Sequence, residues 1–156
     1  LGTALNAKLT FETAKELGVD LQYHAIEKFP ITPEEAAALR EAGMKGALPF
    51  LLATHNVPLK FGNSSFTLIV EDLRTFTAEN GSYDLIYFDA FAPSAQPELW
   101  SDAVFENMYR LLAKGGILTT YCAKGVVKRS MKAAGFEVEA LPGPPRKREM
   151  TRAWKR

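Results

Sequence analysis

Residues 136–154 read FEVEALPGPPRKREMTRAW. Residues 136–141 alternate as a half-buried strand does, residues 142–145 are rich in glycine and proline, and residues 149–154 have the composition of a further strand. The stretch therefore predicts an antiparallel hairpin at the edge of a sheet, closing the chain.

Working back from that hairpin, the chain alternates strands with helices. Residues 116–121 and 84–88 are apolar runs of strand length, and residues 66–70 form another. A helix is predicted over 125–134, stopped by Gly135, and another over 98–113, where Leu99, Val104, Met108, Leu111 and Leu112 share one face. Nearer the start, Thr32 is placed to cap a helix over 33–42, with Glu34 and Glu35 in the first turn where the helix dipole favours negative charge, and Gly43 and Gly46 end it. A strand is expected over 19–26. Before it, Leu5, Leu9, Ala14 and Leu17 recur at helical spacing up to Gly18. Residues 43–65 give no clear period and are expected to be a loop with one short helix. Parallel strands need crossover connections, so this alternation predicts an α/β fold: a mostly parallel, doubly wound, Rossmann-like sheet with helices on both faces. The closing hairpin favours the class I methyltransferase variant of that architecture over the plain dinucleotide-binding one. The chain opens on the glycine turn Leu1-Gly2-Thr3 with no strand before it, which leads us to expect further N-terminal residues supplying a first strand.

At 156 residues, 47% hydrophobic and 24% charged, the chain is expected to form one domain, 1–156, with a substantial core. A net charge of +1 is not that of a strongly basic nucleic-acid binder, so any RNA contact must be local. Arg146, Lys147, Arg148, Arg152, Lys155 and Arg156 supply such a patch, with Glu149 the acid among them. Cys122 is the only cysteine, which excludes an intrachain disulfide and a multi-cysteine zinc site. There is no apolar run of bilayer length and no secretory start, so no membrane role and a cytoplasmic location are expected. No metal site is expected.

Five places carry candidate chemistry. Gly2-Thr3-Ala4-Leu5-Asn6 opens a helix, and the unbonded N–H groups there suit a carboxylate; the alternative is an ordinary cap. Glu27 follows a strand at the separation from a glycine turn at which an acid accepts two ribose hydroxyls. Asp72 follows residues 66–70 and either holds an adenine amino group or caps the next turn. Asp89 ends residues 84–88, in the crevice where open parallel sheets bind ligands, and enters the stiff aromatic and proline loop Ala90-Phe91-Ala92-Pro93. An amine must be neutral to attack an electrophile, so Asp89 is placed to take its proton or hold it in line, while Phe91 offers a face to a flat base. Residues 143–150 offer cations to phosphates, or are a charged turn.

These residues carry a resemblance. Gly2-Thr3 with Asn6, Glu27-Lys28-Phe29-Pro30, Asp89 to Pro93 with Pro97-Glu98-Leu99-Trp100, Thr120 to Val127, and Lys147-Arg148-Glu149-Met150 resemble, in order and over nearly the whole chain, the methyltransferase part of the tRNA 5-methylaminomethyl-2-thiouridine biosynthesis family. The resemblance implies methylation of the aminomethyl group on a wobble uridine of tRNA, with S-adenosyl-L-methionine as cofactor. It implies Gly2, Thr3 and Asn6 at the methionine end, Glu27 at the ribose, and Asp72 near the adenine. Asp89 would lie beside the cofactor as the catalytic acid–base residue, with Phe91, Pro93, Lys147 and Arg148 on the tRNA. Some family members carry a fused flavin oxidoreductase; here a stand-alone enzyme is expected, with a separate flavin-dependent oxidoreductase as partner. Two other classes stay open: a small-molecule N-methyltransferase, and a non-catalytic tRNA-binding or partner module. An NAD oxidoreductase is disfavoured because the G-x-G-x-x-G fingerprint cannot be completed.

Overall fold

In the first half of the chain, helix ends and strand starts follow from local chemistry. α1 (Leu5–Leu17) stops at Gly18, whose φ of 67° is left-handed and whose N–H returns to the carbonyls of the last turn. β1 (Gln22–Glu27) follows. α2 (Pro33–Glu41) begins with a full capping box: Glu35 N–H donates to Thr32 Oγ1 at 3.3 Å, and Thr32 N–H donates to the Glu35 carboxylate at 2.8 Å. The structure, a computed structural model, describes residues 2, 4–43, 48–143 and 148–156.

The stretch expected to be mostly loop holds α3 (Leu48–Leu51) and also β2 (Leu59–Phe61), a strand the sequence did not announce. β2 turns through Gly62, at φ 62°, into β3 (Ser64–Val70) and pairs with it antiparallel. β3 in turn pairs parallel with β1, so that Glu27 is opposite Val70. The resulting sheet has the order β1-β3-β2. Phe66 and Leu68 are wholly buried against Ala7, Ala25, Phe50 and Leu51. Phe11 packs on the rings of Phe50 and Phe61 at 5.2 and 5.0 Å. α1 is where expected, but of the four residues expected on its apolar face only Ala14 is buried: Leu5, Leu9 and Leu17 are exposed, and Ala7 and Phe11 face the core instead. Small alanines let the helix approach, and one phenylalanine fills the space that leucines would otherwise occupy.

The chain divides into two compact units, Leu1–Phe76 and Thr77–Arg156. In the second, β4 (Tyr83–Tyr87) pairs parallel with β5 (Leu112–Thr120). β7 (Glu149–Trp154) pairs antiparallel with both β5 and β6 (Glu137–Pro142), giving the order β4-β5-β7-β6. The closing hairpin predicted from residues 136–154 is thus β6 and β7. The helix expected over 98–113 is instead a 3-10 turn (Pro97–Trp100), an extended Ser101, and then α4 (Asp102–Leu111). Leu112, read as helical, begins β5; the chain passes from α4 into the strand without a loop, and Gly115, at φ 82°, lies within it. α5 (Gly125–Ala133) buries Val127 and Met131. Phe105, Leu111, Leu112, Leu118, Val127 and Met131 are the largest wholly buried apolar side chains of this unit.

Candidate functional site

The first unit gathers its candidate residues at one edge. β1 and β3 run parallel and in register, so Glu27 and the residues after Val70 leave the sheet at its carboxyl edge, where open α/β sheets hold ligands. α1 leads through Gly18 into β1, which brings its N-terminus, with Asn6 in the first turn, toward that same edge. Gly2 has φ 55°, and a Cβ built on it would meet nothing within 4 Å, so the backbone there is open to close approach. Thr3 lies outside the described residues.

The two acids of this edge are held differently. Glu27 Oε1 accepts the backbone N–H of Phe29 at 3.0 Å, which turns the carboxylate back over the end of its strand. Asp72 is a hub. It accepts the Arg74 backbone N–H at 3.0 Å and the Arg74 guanidinium at 2.6 Å, and pairs with Lys28 Nζ at 2.9 Å, joining the loops after β1 and β3. Its carbonyl takes the N–H groups of Thr75 and Phe76. The Arg74 bonds first, then Lys28, hold its carboxyl far below the usual carboxylate range. Of the two readings of Asp72, the turn cap is the one whose bonds are visible; the adenine contact is left to its position.

The second unit builds its site on a loop. Asp89 and Phe91 leave the end of β4 exposed to solvent, with Phe91 at 72% exposure, and Pro93 is half-buried. The backbone between them is held from behind. Phe88 N–H donates to Thr119 O at 2.8 Å, Tyr121 Oη donates to Ala90 O at 3.0 Å, and Trp100 Nε1 donates to Phe91 O at 2.8 Å. Trp100 is buried edge-on against Phe88 and Tyr121, at 5.0 and 6.1 Å. Burial, then the neighbouring Cys122 and Asp89, raise the Tyr121 phenol, keeping its proton on through ordinary working pH. Thr151 Oγ1 donates to Cys122 O at 2.8 Å, tying the turn after β5 to the closing hairpin. No role was assigned to Tyr121, Trp100 or Thr151 in the sequence, because a side-chain bond to a carbonyl 31, 9 or 29 residues away leaves no local pattern.

The basic patch is narrower than its composition implied. Arg152 binds the Glu139 carboxylate, Arg156 pairs with Glu137 at 2.8 Å, and Lys155 Nζ donates to Leu112 O at 2.7 Å over the ring of Tyr109. These cations stitch β6, β7 and the start of β5 together, which removes them from the patch. Arg148 is exposed at the hairpin turn, and its carbonyl takes the Gly143 N–H; Lys147, and Arg146 beside it, lie outside the described residues. Among the described residues, no three His, Cys, Asp or Glu side chains are grouped to hold a metal, and no helix is long and apolar enough to cross a membrane.

Comparison with known proteins gives a consistent result. A family model described as S-adenosyl-L-methionine-dependent methyltransferase matches residues 34–156. The tRNA 5-methylaminomethyl-2-thiouridine biosynthesis bifunctional protein MnmC of Chromobacterium violaceum is 32% identical over 167 residues, covering 98% of this chain and 25% of the relative. The protein of the same name from Cupriavidus metallidurans is 37% identical over 144 residues, covering 84% of this chain and 21% of the relative. The chain thus spans about a quarter of the length of these curated relatives. The crystal structure of MNMC2 from Aquifex aeolicus superposes with a TM-score of 0.73 at 24% identity, covering 99% of this chain and 51% of that one. That likeness shows the fold.

Proposed function

Because this chain belongs to the S-adenosyl-L-methionine-dependent methyltransferase family and has its Rossmann-like α/β fold, we propose that it methylates the aminomethyl nitrogen of a modified wobble uridine in tRNA. The names of its relatives support the substrate class. The observation that carries the reading is Asp89, an exposed carboxylate at the carboxyl end of a parallel strand, on a loop whose neighbouring carbonyls are already bonded.

The first unit has groups of the right chemistry for the cofactor. The start of α1 offers N–H groups to the methionine carboxylate, near Gly2, Thr3 and Asn6. Glu27, oriented by the Phe29 N–H, is an acceptor for ribose hydroxyls, and Asp72 is assigned to the adenine edge. When bound, the cofactor supplies an electrophilic methyl group on a sulfonium. The protein's task is then to present a neutral amine, since an ammonium has no lone pair. Asp89 accepts a hydrogen bond from the amine, aligns its lone pair, and takes the proton that the methylated nitrogen must lose. Phe91 stacks on the uracil face and Pro93 limits the loop's freedom. Lys147 and Arg148 contact tRNA phosphates at the hairpin turn. A cytoplasmic location and a separate flavin-dependent oxidoreductase that supplies or shares the substrate complete the proposal.

Incubation of the purified protein with methyl-labelled S-adenosyl-L-methionine and tRNA carrying 5-aminomethyl-2-thiouridine tests it, and label in that nucleoside is the expected result. Label passing to free amines without tRNA would instead establish a small-molecule enzyme. Tight tRNA binding with no cofactor binding would overturn catalysis altogether.

A further inference from the structure

The motif carrying Asp89 leaves one feature of the second unit unexplained: two consecutive backbone carbonyls, those of Ala90 and Phe91, are each taken by a side chain from another part of the unit. Tyr121 comes from the turn after β5, and Trp100 from the 3-10 turn ahead of α4. Their rings meet edge-on at 6.1 Å, so the donors form one unit. Behind them Thr151 Oγ1, wholly buried, fixes the Cys122 carbonyl, the peptide next to Tyr121. Trp100 is buried, so its indole N–H would be costly to leave unbonded, and the Phe91 carbonyl is the partner it has. A loop that only had to connect β4 to α4 would not need two carbonyls fixed in succession. With both fixed, the peptide planes on either side of Phe91 are set. The direction in which Phe91 leaves the backbone is then set as well, and Asp89 lies between the Phe88 N–H, bonded to Thr119 O, and the bonded Ala90 carbonyl, so its stretch of chain is pinned at both ends.

We propose that Tyr121 and Trp100 are positioning residues for methyl transfer, clamping the Ala90 and Phe91 carbonyls so that the Asp89 carboxylate and the Phe91 ring stand at fixed directions to the acceptor. This rests on the assignment of Asp89 to the reacting amine. Neither side chain touches substrate in the proposal. Each acts through the backbone of the loop, Tyr121 on the Asp89 side and Trp100 on the Phe91 side. Removal of the Tyr121 hydroxyl therefore acts on turnover through Asp89, whereas loss of the indole N–H acts chiefly on acceptor binding through Phe91.

The experiment is a double-mutant cycle in the intact protein between Tyr121→Phe and Asp89→Ala, scored by methyl transfer to modified tRNA at saturating cofactor. Tyr121→Phe is expected to lower kcat about tenfold, the size of loss a small misplacement of a catalytic group produces, with cofactor Kd changed less than about twofold. In the Asp89→Ala background the same substitution is expected to change nothing further, because the group it positions is gone. Amide exchange of residues 89–93 supplies a readout independent of activity: it should speed up in Tyr121→Phe and in Trp100→Phe, and be unaltered in a Val126→Ala control on exposed α5 surface. Equal losses in both backgrounds would make Tyr121 merely structural and overturn the proposal. Parental kcat in Tyr121→Phe with Asp89→Ala inactive would overturn it alone, leaving the function standing. Full activity in Asp89→Ala would remove the functional reading first, and the positioning role with it.

Discussion

Asp72 in the first unit and Asp89 in the second both follow the end of a parallel strand, yet the chain secures them in opposite ways. Asp72 is held through its carboxylate, which takes the Arg74 backbone and guanidinium and the Lys28 ammonium. Around Asp89 the holding is done through main-chain carbonyls, by Tyr121 and Trp100, and the carboxylate is exposed. A carboxylate whose oxygens serve as the fixing points organises a turn. The loop after β4 instead takes its fixing points from the Ala90 and Phe91 carbonyls, and Asp89 stands exposed on it.

The sharpest way to break this contrast is to delete both carboxylates and compare. Asp89→Ala is expected to lower kcat by about a hundredfold or more, the usual range for losing a general acid–base group, with melting temperature unmoved and cofactor affinity within about tenfold. Asp72→Ala is expected to lower the melting temperature first, by releasing Lys28 and Arg74 from their shared partner. Turnover unchanged in Asp89→Ala, or an unmoved melting curve in Asp72→Ala, would erase the distinction.

A second test concerns the frame beneath Asp89. Gly116 lies on β5 where a Cβ would come 2.9 Å from the Ala113 carbonyl oxygen and 3.2 Å from that of Asp84 on β4. Neither backbone atom can yield without parting the strand pair that carries Asp89, so Gly116→Ala is expected to cost about 1–3 kcal/mol in urea unfolding. In the first unit Gly62→Ala meets no atom within 4 Å and is opposed only by its left-handed φ of 62°. Its cost should be about 1 kcal/mol.

What could be read in advance divides along the same line. Features carried by neighbours in sequence were legible: the Gly18 stop, the Thr32–Glu35 box, and the alternation and glycine-proline turn that announced β6 and β7. So were Glu27 and Asp89 as acids at strand ends, because that position follows from counting. β2 was not, since three residues show no period and the strand exists only through its pairing with β3. The break at Ser101 was hidden by an apolar spacing that runs through it. In α1 the leucines drew attention from Ala7 and Phe11, which face the core, while Ala14 was read correctly. The clamp on the Asp89 loop and the glutamates that neutralise Arg152 and Arg156 were invisible for one reason: each joins residues brought together by topology.

A smaller effect sharpens the account of the first unit. Thr32→Ala removes the hydroxyl that accepts the Glu35 N–H and is expected to cost about 1 kcal/mol, with Thr32→Ser retaining most of it. Loss of stability in the serine variant as well would mean that packing of the threonine methyl, and not the cap, holds the start of α2.

The smallest effect returns to carboxylates used as fixing points, now on the hairpin. Glu139 is held below its ordinary range by bonds from Arg152 and then Trp154, and Glu137 by Arg156. A carboxyl depressed in the folded state contributes stability above its unfolded pKa, and that contribution disappears as pH falls through the folded value. Glu137 is exposed and Glu139 half-buried, so solvent still screens the pairs, and the gap in melting temperature between the parent and Glu139→Gln should be slight at neutral pH, shrink in high salt, and close as pH drops below the carboxylate range. Asp72 is depressed much further, so the gap for Asp72→Asn should survive to lower pH than the gap for Glu139→Gln. If the two gaps closed together, the Arg74 and Lys28 bonds would not set Asp72 apart from an ordinary surface pair, and the contrast with Asp89 would have to rest on geometry alone.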